Sequence, residues 1–501
     1  MRTTRTILHC ILILVFVTST VNISLAQSPR FILQQNPDQS VNYSNQPLSM
    51  NASSFRILSP LSTMPAIIEL GGTCLVTIDV TSFDSVAAFI STAYEPVVDT
   101  VWLPLVSIEK QGTTSTITLH IPDDTQEELY NLTVVLTVGL NVFHASQPRA
   151  INVINHFSQN FSFVHITDLH VGDPRGFTEN IRETIGGKSI LRCIDEVNLL
   201  HPDFVIISGD LVFGQLYPGE YAREYPKCYE IIQRFDVPTY LCPGNHDGYR
   251  RFREDGLQYW EKYFGPLYYS FDYGDAHFQA VNSYDWPIKY RLAVGPLVLA
   301  WGGSIQQEQL SWIQQDWALH TNSTLKFMFM HHNPLWDTQK ESFLRLPYTN
   351  RENVLQIIND THVDMVLSGH VHRDNVTTSN GTLFLTTTTP ESEIREEDGY
   401  WGYRLVTIQN NSIASYNYKE PKYSLPTYSL HVNYQSNQSA QVENTLDTPV
   451  SILLKFTLPS AVYTTSYGEI IQTRHDENHV ELYLRASINA KSTVTITIIE
   501  P

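Results

Sequence analysis

Residues 161–170 read FSFVHITDLH: an apolar strand pattern that stops on a carboxylate, Asp168, and an imidazole, His170. Alternation along an extended segment points those two side chains the same way. A single junction of this kind is ordinary turn chemistry; repetition is what gives it weight. "FVIIS" (204–208) runs into "GDL" with Asp210, and "TYLC" (239–242) into "PGNHD" with Asn245, His246 and Asp247. "LKFMFM" (325–330) ends on His331 and His332, and "VDMVLS" (363–368) is followed by "GHVH" with His370 and His372. Between these runs lie helical patterns. "SILRCIDEVNLL" (189–200) sets Ile190, Leu191, Ile194 and Val197 on one face, and "KCYEIIQRF" (227–235) and "VLQII" (354–358) follow. Fully apolar strands alternating with helices predict a layered α/β core, and strand ends are where such sheets place their ligand sites.

Outward from this centre the texture changes. "CLVTIDVTS" (74–82), "STITLHI" (115–121) and "NLTVVLTVGL" (131–140) alternate apolar and polar residues, which predicts a β-sandwich over 27–155. The α/β pattern occupies 156–420, and "SILLKFTL" (451–458) and "STVTITI" (492–498) predict a β module over 421–501. No internal repeat is present. A chain of 501 residues with 42% hydrophobic and 17% charged residues is globular in character. Its 32 basic and 51 acidic residues give a net charge of -19, which repels a phosphate backbone, so binding to nucleic-acid duplexes is not expected.

The N-terminus pairs Arg2 and Arg5 with an apolar run over 7–17 and the small residues Ser24 and Ala26, the pattern of a signal peptide over 1–26. That run, interrupted by His9, is too short to cross a bilayer, and no later stretch is long or apolar enough, so the expectation is a secreted or cell-surface chain with no transmembrane anchor after maturation. Sequons at Asn42, Asn51, Asn131, Asn160, Asn322, Asn359, Asn375, Asn380, Asn410 and Asn437 are more frequent than composition predicts and point to a glycosylated surface. Cys10 would leave with the signal; Cys74, Cys193, Cys228 and Cys242 would remain, either as buried thiols or with Cys193 and Cys228 paired across helices flanking one sheet.

The five junctions supply Asp, His and Asn, the donors that hold two cations close together when a carboxylate bridges them; Asp210 is the candidate bridge. These blocks resemble the calcineurin-like metallophosphoesterase family, whose pattern is D-x-H, G-D, G-N-H-(D/E), a strand ending in His, and G-H-x-H. All five occur here in order from Asp168 to His372. The resemblance implies a four-layer α/β/β/α sandwich and two divalent or trivalent metal ions, Mn, Fe or Zn. Asp168, His170, Asp210 and His372 would hold one ion, and Asp210, Asn245, His331 and His370 the other. Of the pair His331 and His332, the family pattern favours the first. A metal-bound water would attack phosphorus in line, with His246 over the leaving group as proton donor or stabiliser of the transition state. The D-x-H form looks like the cyclic-nucleotide and glycerophosphodiester branch. Purple acid phosphatases carry a Tyr ligand where "GDLVF" has Phe213, so a charge-transfer iron site is not predicted. The resemblance thus implies a phosphate-ester substrate, phosphodiesters before monoesters.

Other features have simpler explanations. "IGGKS" (185–189) lacks the first glycine of a phosphate loop. His165, His201 and His362 are expected to be structural, Arg373 solvated, and Asp247 a support for backbone or imidazole. "YYSFDYGDAHF" and "SYDWPIKYR" are expected to build strands and core, with Trp286 and Tyr290 as pocket walls. The competing expectation is a non-catalytic adhesion or ligand-binding protein with an inert phosphoesterase-like domain. Such domains lose ligands, and this chain keeps them all.

Overall fold

A computed structural model describes residues 55–93, 100–173, 188–216, 218–294, 297–337, 346–395, 397–475 and 478–500. The chain divides into two compact units, 1–45 and 46–501, and the described residues lie in the second. The expected signal peptide and the sequons at Asn42 and Asn51 lie outside the described residues.

The middle of the chain forms two six-stranded sheets. In the first, Phe161–Ile166, Phe204–Ser208 and Thr239–Cys242 run parallel, and Gly402–Gln409 joins Phe161–Ile166 antiparallel. In the second, Ala276–Val281, Leu325–Met330, Met365–Ser368 and Thr382–Thr386 run parallel, flanked by antiparallel Tyr269–Tyr273 and Asn375–Ser379. One apolar core joins the two sheets. Phe163 and Phe204 stack at 5.3 Å, and Phe163 meets Phe278 and Phe327 edge-on, both at 5.6 Å. The outer face of the second sheet, through Val281, Met328, Met330 and Val366, packs on helices Gln307–Leu319 and Arg351–Asp360 by way of Ile313, Trp317, Val354 and Ile358. Burial on both faces explains why these strands read as continuous apolar runs.

Helix Lys188–Leu200 buries Ile190, Cys193, Ile194, Glu196 and Val197. Leu191, expected on that face, is half-buried: the buried stripe is centred on Ile190, Ile194 and Val197, and Leu191 lies about 100° around the helix from Ile190. "YYSFDYGDAHF" forms the strands Tyr269–Tyr273 and Ala276–Val281, but "SYDWPIKYR" is a run of turns, which Pro287 suits better than a strand. Trp286 is buried there and donates its indole N–H to the Gly302 carbonyl at 2.7 Å.

The N-terminal region packs a four-stranded sheet against a five-stranded one around a core that includes Val76, Ile90, Ile117 and Leu132. Strands Leu430–Ser436, Ser439–Asn444, Val450–Pro459, Glu469–His475, His479–Ile488 and Ser492–Ile499 supply the C-terminal sheets. Leu425–Pro426 still pairs with Gly402–Gln409, so the central sheet draws on residues beyond 420. All four cysteines described are buried free thiols; the Cys193 to Cys228 bridge is not formed. No described helix is long and apolar enough to cross a membrane.

Candidate metal centre

The loops that leave the parallel strands meet in one buried cluster. Asp168 and Asp210 are each divided between two tasks. Asp168 Oδ2 accepts from Thr167 Oγ1 and from the His370 backbone N–H, both at 2.8 Å. Its Oδ1 has no hydrogen-bond donor and lies 3.2 Å from His372 Nε2, 3.5 Å from His170 Nε2 and 3.9 Å from His331 Nε2. Asp210 Oδ1 accepts from the His246 backbone N–H at 2.8 Å, while Oδ2 lies 3.0 Å from His331 Nε2 and 3.5 Å from His170 Nε2. One oxygen of each carboxylate is tied to the frame and the other faces imidazoles.

Carbonyl groups set the imidazoles. His331 Nδ1 donates to Ser208 O at 2.8 Å and His372 Nδ1 to Glu393 O at 2.7 Å, which leaves Nε2 of each ring as the ligating atom. His370 Nδ1 lies 2.9 Å from Asn245 Oδ1, and the Asn245 amide N–H donates to the Tyr249 hydroxyl at 2.5 Å. All seven expected ligands are thereby gathered. Two sets, Asp168 with His170 and His372, and Asp168 with Asp210 and His331, each offer ligand atoms within 4.8 Å of one another.

The cluster fits a cation. His170 Nδ1 and His370 Nε2 are buried polar atoms without a hydrogen-bond partner, and Asp168 Oδ1 and His331 Nε2 make no well-formed hydrogen bond and meet only ionisable groups of the cluster, which is costly in a closed fold and natural at a metal site. The electrostatics agree. Burial alone would raise the Asp168 carboxyl, but His372 and His331 hold it well below the usual range. Asp210 is depressed in the same way by His331 and His246. Burial disfavours a charged His331, yet Asp210 and Asp168 push it up to about 9. His370 is lowered, by burial and by its neighbours His332 and His331.

His332 stands apart. Its Nδ1 meets Ser283 Oγ at 3.0 Å and its Nε2 meets Trp301 O at 2.9 Å; burial lowers it to about 3, so it is a neutral, fully bonded support. His246 is buried against Phe213, with ring centroids 5.2 Å apart, and its Nδ1 donates to the Phe213 carbonyl at 2.5 Å. That bond commits Nδ1 to the carbonyl and leaves Nε2 as the nitrogen that can take up or release a proton. Asp247 Oδ1 accepts from the N–H groups of Leu211 and Val212, at 2.9 and 3.1 Å, and Oδ2 from Gly244 at 2.8 Å. Burial and the charge of Asp210 raise its carboxyl to about 7.

Close approach explains two of the glycines. A Cβ on Gly369 would overlap Thr167 Oγ1 and Asp168 Oδ2, and one on Gly244 would overlap Asp210 Oδ1. His165 is buried between Thr387 Oγ1 and Ser208 Oγ, both at 2.7 Å, and burial keeps it neutral. His362 and Arg373 are exposed. Several supports escape sequence reasoning: Thr167, Tyr249, Trp301, whose ring stacks on His370 at 5.5 Å, and Thr389, which donates to the Asp168 carbonyl at 2.8 Å. Asp374, two residues past "GHVH", is another; it pairs with the buried Arg404 at 2.9 Å and anchors that loop. Only its nearness to the motif could have signalled it. Among the described residues, one further His and Asp group, Asp272, His277 and His320, lies apart from this cluster. There both His277 nitrogens are already bonded, to Asp272 at 2.6 Å and Asp316 at 2.9 Å.

Carboxylates and imidazoles converging from the ends of parallel strands form a candidate metal site, and the family match of this region supports a hydrolase acting on phosphate esters. Residues 161–374 match the family model described as calcineurin-like phosphoesterase, and this region belongs to that family, which implies a dinuclear metal site. It is similar to a probable glycerophosphodiester phosphodiesterase, GpdQ, of Arcobacter nitrofigilis, 23% identical over 46% of this chain and 79% of that protein. It is also similar to a probable cyclic nucleotide phosphodiesterase of Fibrobacter succinogenes, 24% identical over 45% and 78%, respectively. The serine/threonine-protein phosphatase CPPED1 of Rattus norvegicus is 22% identical over 47% and 78%.

Proposed function

We propose that this protein is a secreted phosphodiesterase with a dinuclear metal centre in a four-layer α/β/β/α sandwich. The observation that carries the proposal is the pair of inward-facing carboxylate oxygens, Asp168 Oδ1 and Asp210 Oδ2, set against the Nε2 atoms of His170, His331 and His372. Asp168, His170, Asp210 and His372 would hold one ion, and Asp210, Asn245, His331 and His370 the other. Bound divalent ions supply Lewis-acid polarisation of a phosphoryl oxygen and lower the pKa of water.

The chain does the rest. Thr167, His370 N–H and His246 N–H fix the two carboxylates, so no reorganisation is needed as charge develops. His246, held at Nδ1 by the Phe213 carbonyl, would act as an imidazolium, giving its Nε2 proton to the leaving oxygen as the phosphorus–oxygen bond breaks and ending as a neutral ring with Nδ1–H still on the carbonyl. Phe213 packs on that ring and offers no ligand atom, which supports redox-inert catalysis over a tyrosinate-ligated iron site. Preference for diesters is supported by the D-x-H block and by the names of two of the relatives; secretion is supported by the sequence over 1–26 and by the sequons.

The test is turnover of a chromogenic phosphodiester and its monoester by the purified protein supplied with Mn, with Asp210→Asn as the blank. Faster diester cleavage that disappears in the variant is expected. Full turnover by Asp210→Asn would overturn the assignment, and bound metal without turnover on either ester would favour the non-catalytic reading. An N-terminal sequence of secreted material starting near Gln27 is expected; one starting at Met1 would remove the signal peptide.

A further inference from the structure

Two small hairpins beside the cluster carry an unusual surface. Arg250–Arg251 pairs with Glu254–Asp255, which puts Phe252 and Arg253 at a tip, and Ala293–Val294 pairs with Leu297–Val298. They are joined: Arg250 N donates to Arg291 O at 2.7 Å, and Arg250 bridges to Leu292. Phe252 is 73% exposed and Leu297 61%, with Ile288, Leu292 and Val294 also exposed on the same two segments. Isolated exposed apolar residues need no explanation, but a set of bulky ones at adjoining hairpins does.

The exposed charges on these segments are cationic; the acidic residues of the first hairpin, Glu254 and Asp255, are half-buried and buried, the first accepting from Gly219 N at 2.7 Å and the second pairing with Arg291. Arg250, Arg253 and Lys289 are exposed, and among the described residues none of them meets a carboxylate. Over 250–253 and 287–299 the sequence holds no acidic residue, in a chain whose net charge is -19. The basic residues that do have partners are turned inward. Arg251 pairs with Glu220 at 2.9 Å and Arg291 with Asp255 at 2.6 Å. What these adjoining segments expose most is therefore cationic and bulky apolar side chains, on a molecule whose net charge is -19.

We propose that this face docks on an anionic lipid surface. Cations attract the headgroups, each Lys or Arg adding to the attraction near a charged leaflet, and the exposed side chains of Phe252 and Leu297 enter the boundary between headgroup and acyl chain. An acidic protein surface or a soluble polyanion would match the cations, but would leave Phe252 and Leu297 without a favourable partner. The acidity of the rest of the chain would repel the same leaflet, so the molecule would approach with this face forward. The face adjoins the cluster. Arg291 donates to the Gly248 carbonyl at 2.8 Å, just past Asn245 and His246, and the second hairpin leads through Leu299 to Trp301, which stacks on His370. Docking does not depend on the chemistry performed there, so its test has no turnover readout.

The full chain is sedimented with vesicles of phosphatidylcholine alone and of phosphatidylcholine containing phosphatidylserine. Binding to the second is expected, weakened by salt, and about tenfold weaker in the double variant Phe252→Glu, Leu297→Glu, with the thermal unfolding midpoint unchanged because both positions are exposed. In Phe252→Trp, a blue shift of the indole emission on adding the anionic vesicles is expected. No sedimentation with anionic vesicles would overturn the proposal, as would binding that the double variant leaves intact. Equal capture by soluble polyglutamate, with no emission shift, would assign the face to a polyanion instead.

Discussion

Asp168, His170, Asp210, His370 and His372 share a backbone property that their side chains alone do not explain: all have positive φ, between 47° and 73°. Non-glycine residues adopt this region rarely and at a cost of order 1 kcal/mol or more, so the surroundings must enforce it. They do so with backbone bonds between the junctions, Asp168 N to Gly209 O at 3.0 Å and His170 N to Asp210 O at 2.9 Å. His246 carries no such strain, and its predicted role is separable from that of the ligands. His246→Ala should keep its metal content, measured by elemental analysis, and lose about a hundredfold to ten-thousandfold in turnover of an alkyl ester. The loss should be much smaller for a nitrophenyl ester, whose leaving oxygen needs no proton. Equal losses on both esters would take the proton-donor role away from His246. The residues that the structure gathers into the cluster were legible in the sequence because each follows an apolar strand. The left-handed backbone, the oxygen of each carboxylate that faces inward, and the supports Thr167, Tyr249 and Trp301 were not, because they depend on contacts between residues distant in the chain.

Between elements, Asp247 works as a clamp. It has no exposure, and its carboxylate joins the loop that leaves Phe204–Ser208 to the turn that leaves Thr239–Cys242 by accepting three backbone N–H groups. Asp247→Ala would strand those donors in the interior, at about 1–3 kcal/mol for each buried unsatisfied group, with the terms sharing one site and so not fully additive. The expected result is a lower unfolding midpoint together with weaker metal retention. Asp247→Asn keeps an acceptor for Leu211 and Val212 and should lose markedly less; an Ala variant as stable as the parent would show that the clamp contributes nothing. Strands and helices were legible at this scale because their periods are strong, as in FSFVHI and SILRCIDEVNLL. The pairing of Leu425–Pro426 with Gly402–Gln409 was not, since two residues carry no period.

At the scale of the molecule, the flanking β regions are bonded to the centre and to each other. Arg149 donates to the carbonyls of Ile232 and Val237 at 3.2 and 2.6 Å, and Glu196 of the central helix Lys188–Leu200 accepts from Leu430 N at 3.3 Å. Burial raises the Glu196 carboxyl from 4.5 to about 7. The folded state thus holds this proton more tightly than the unfolded chain, and the associated stability, present below pH 4.5, is lost as pH rises through about 7. Up to about 3 kcal/mol is involved, and Glu196→Gln should be less sensitive than the parent between these limits, measured as the unfolding midpoint against pH. Arg474 and Glu128 connect the two outer regions: the guanidinium is buried and lies 2.8 Å from Glu128 Oε2, and Tyr483 donates to the same oxygen. Removing one partner of a buried pair leaves the other charge without compensation, at about 3–5 kcal/mol, whereas removing both can be close to neutral. Arg474→Met should therefore lower the unfolding midpoint sharply, and the double variant Arg474→Met, Glu128→Gln should recover most of the loss. If the double variant is as unstable as the single, the pair holds the outer regions together by its shape and packing, and the charge on Glu128 is not what the Arg474 side chain answers.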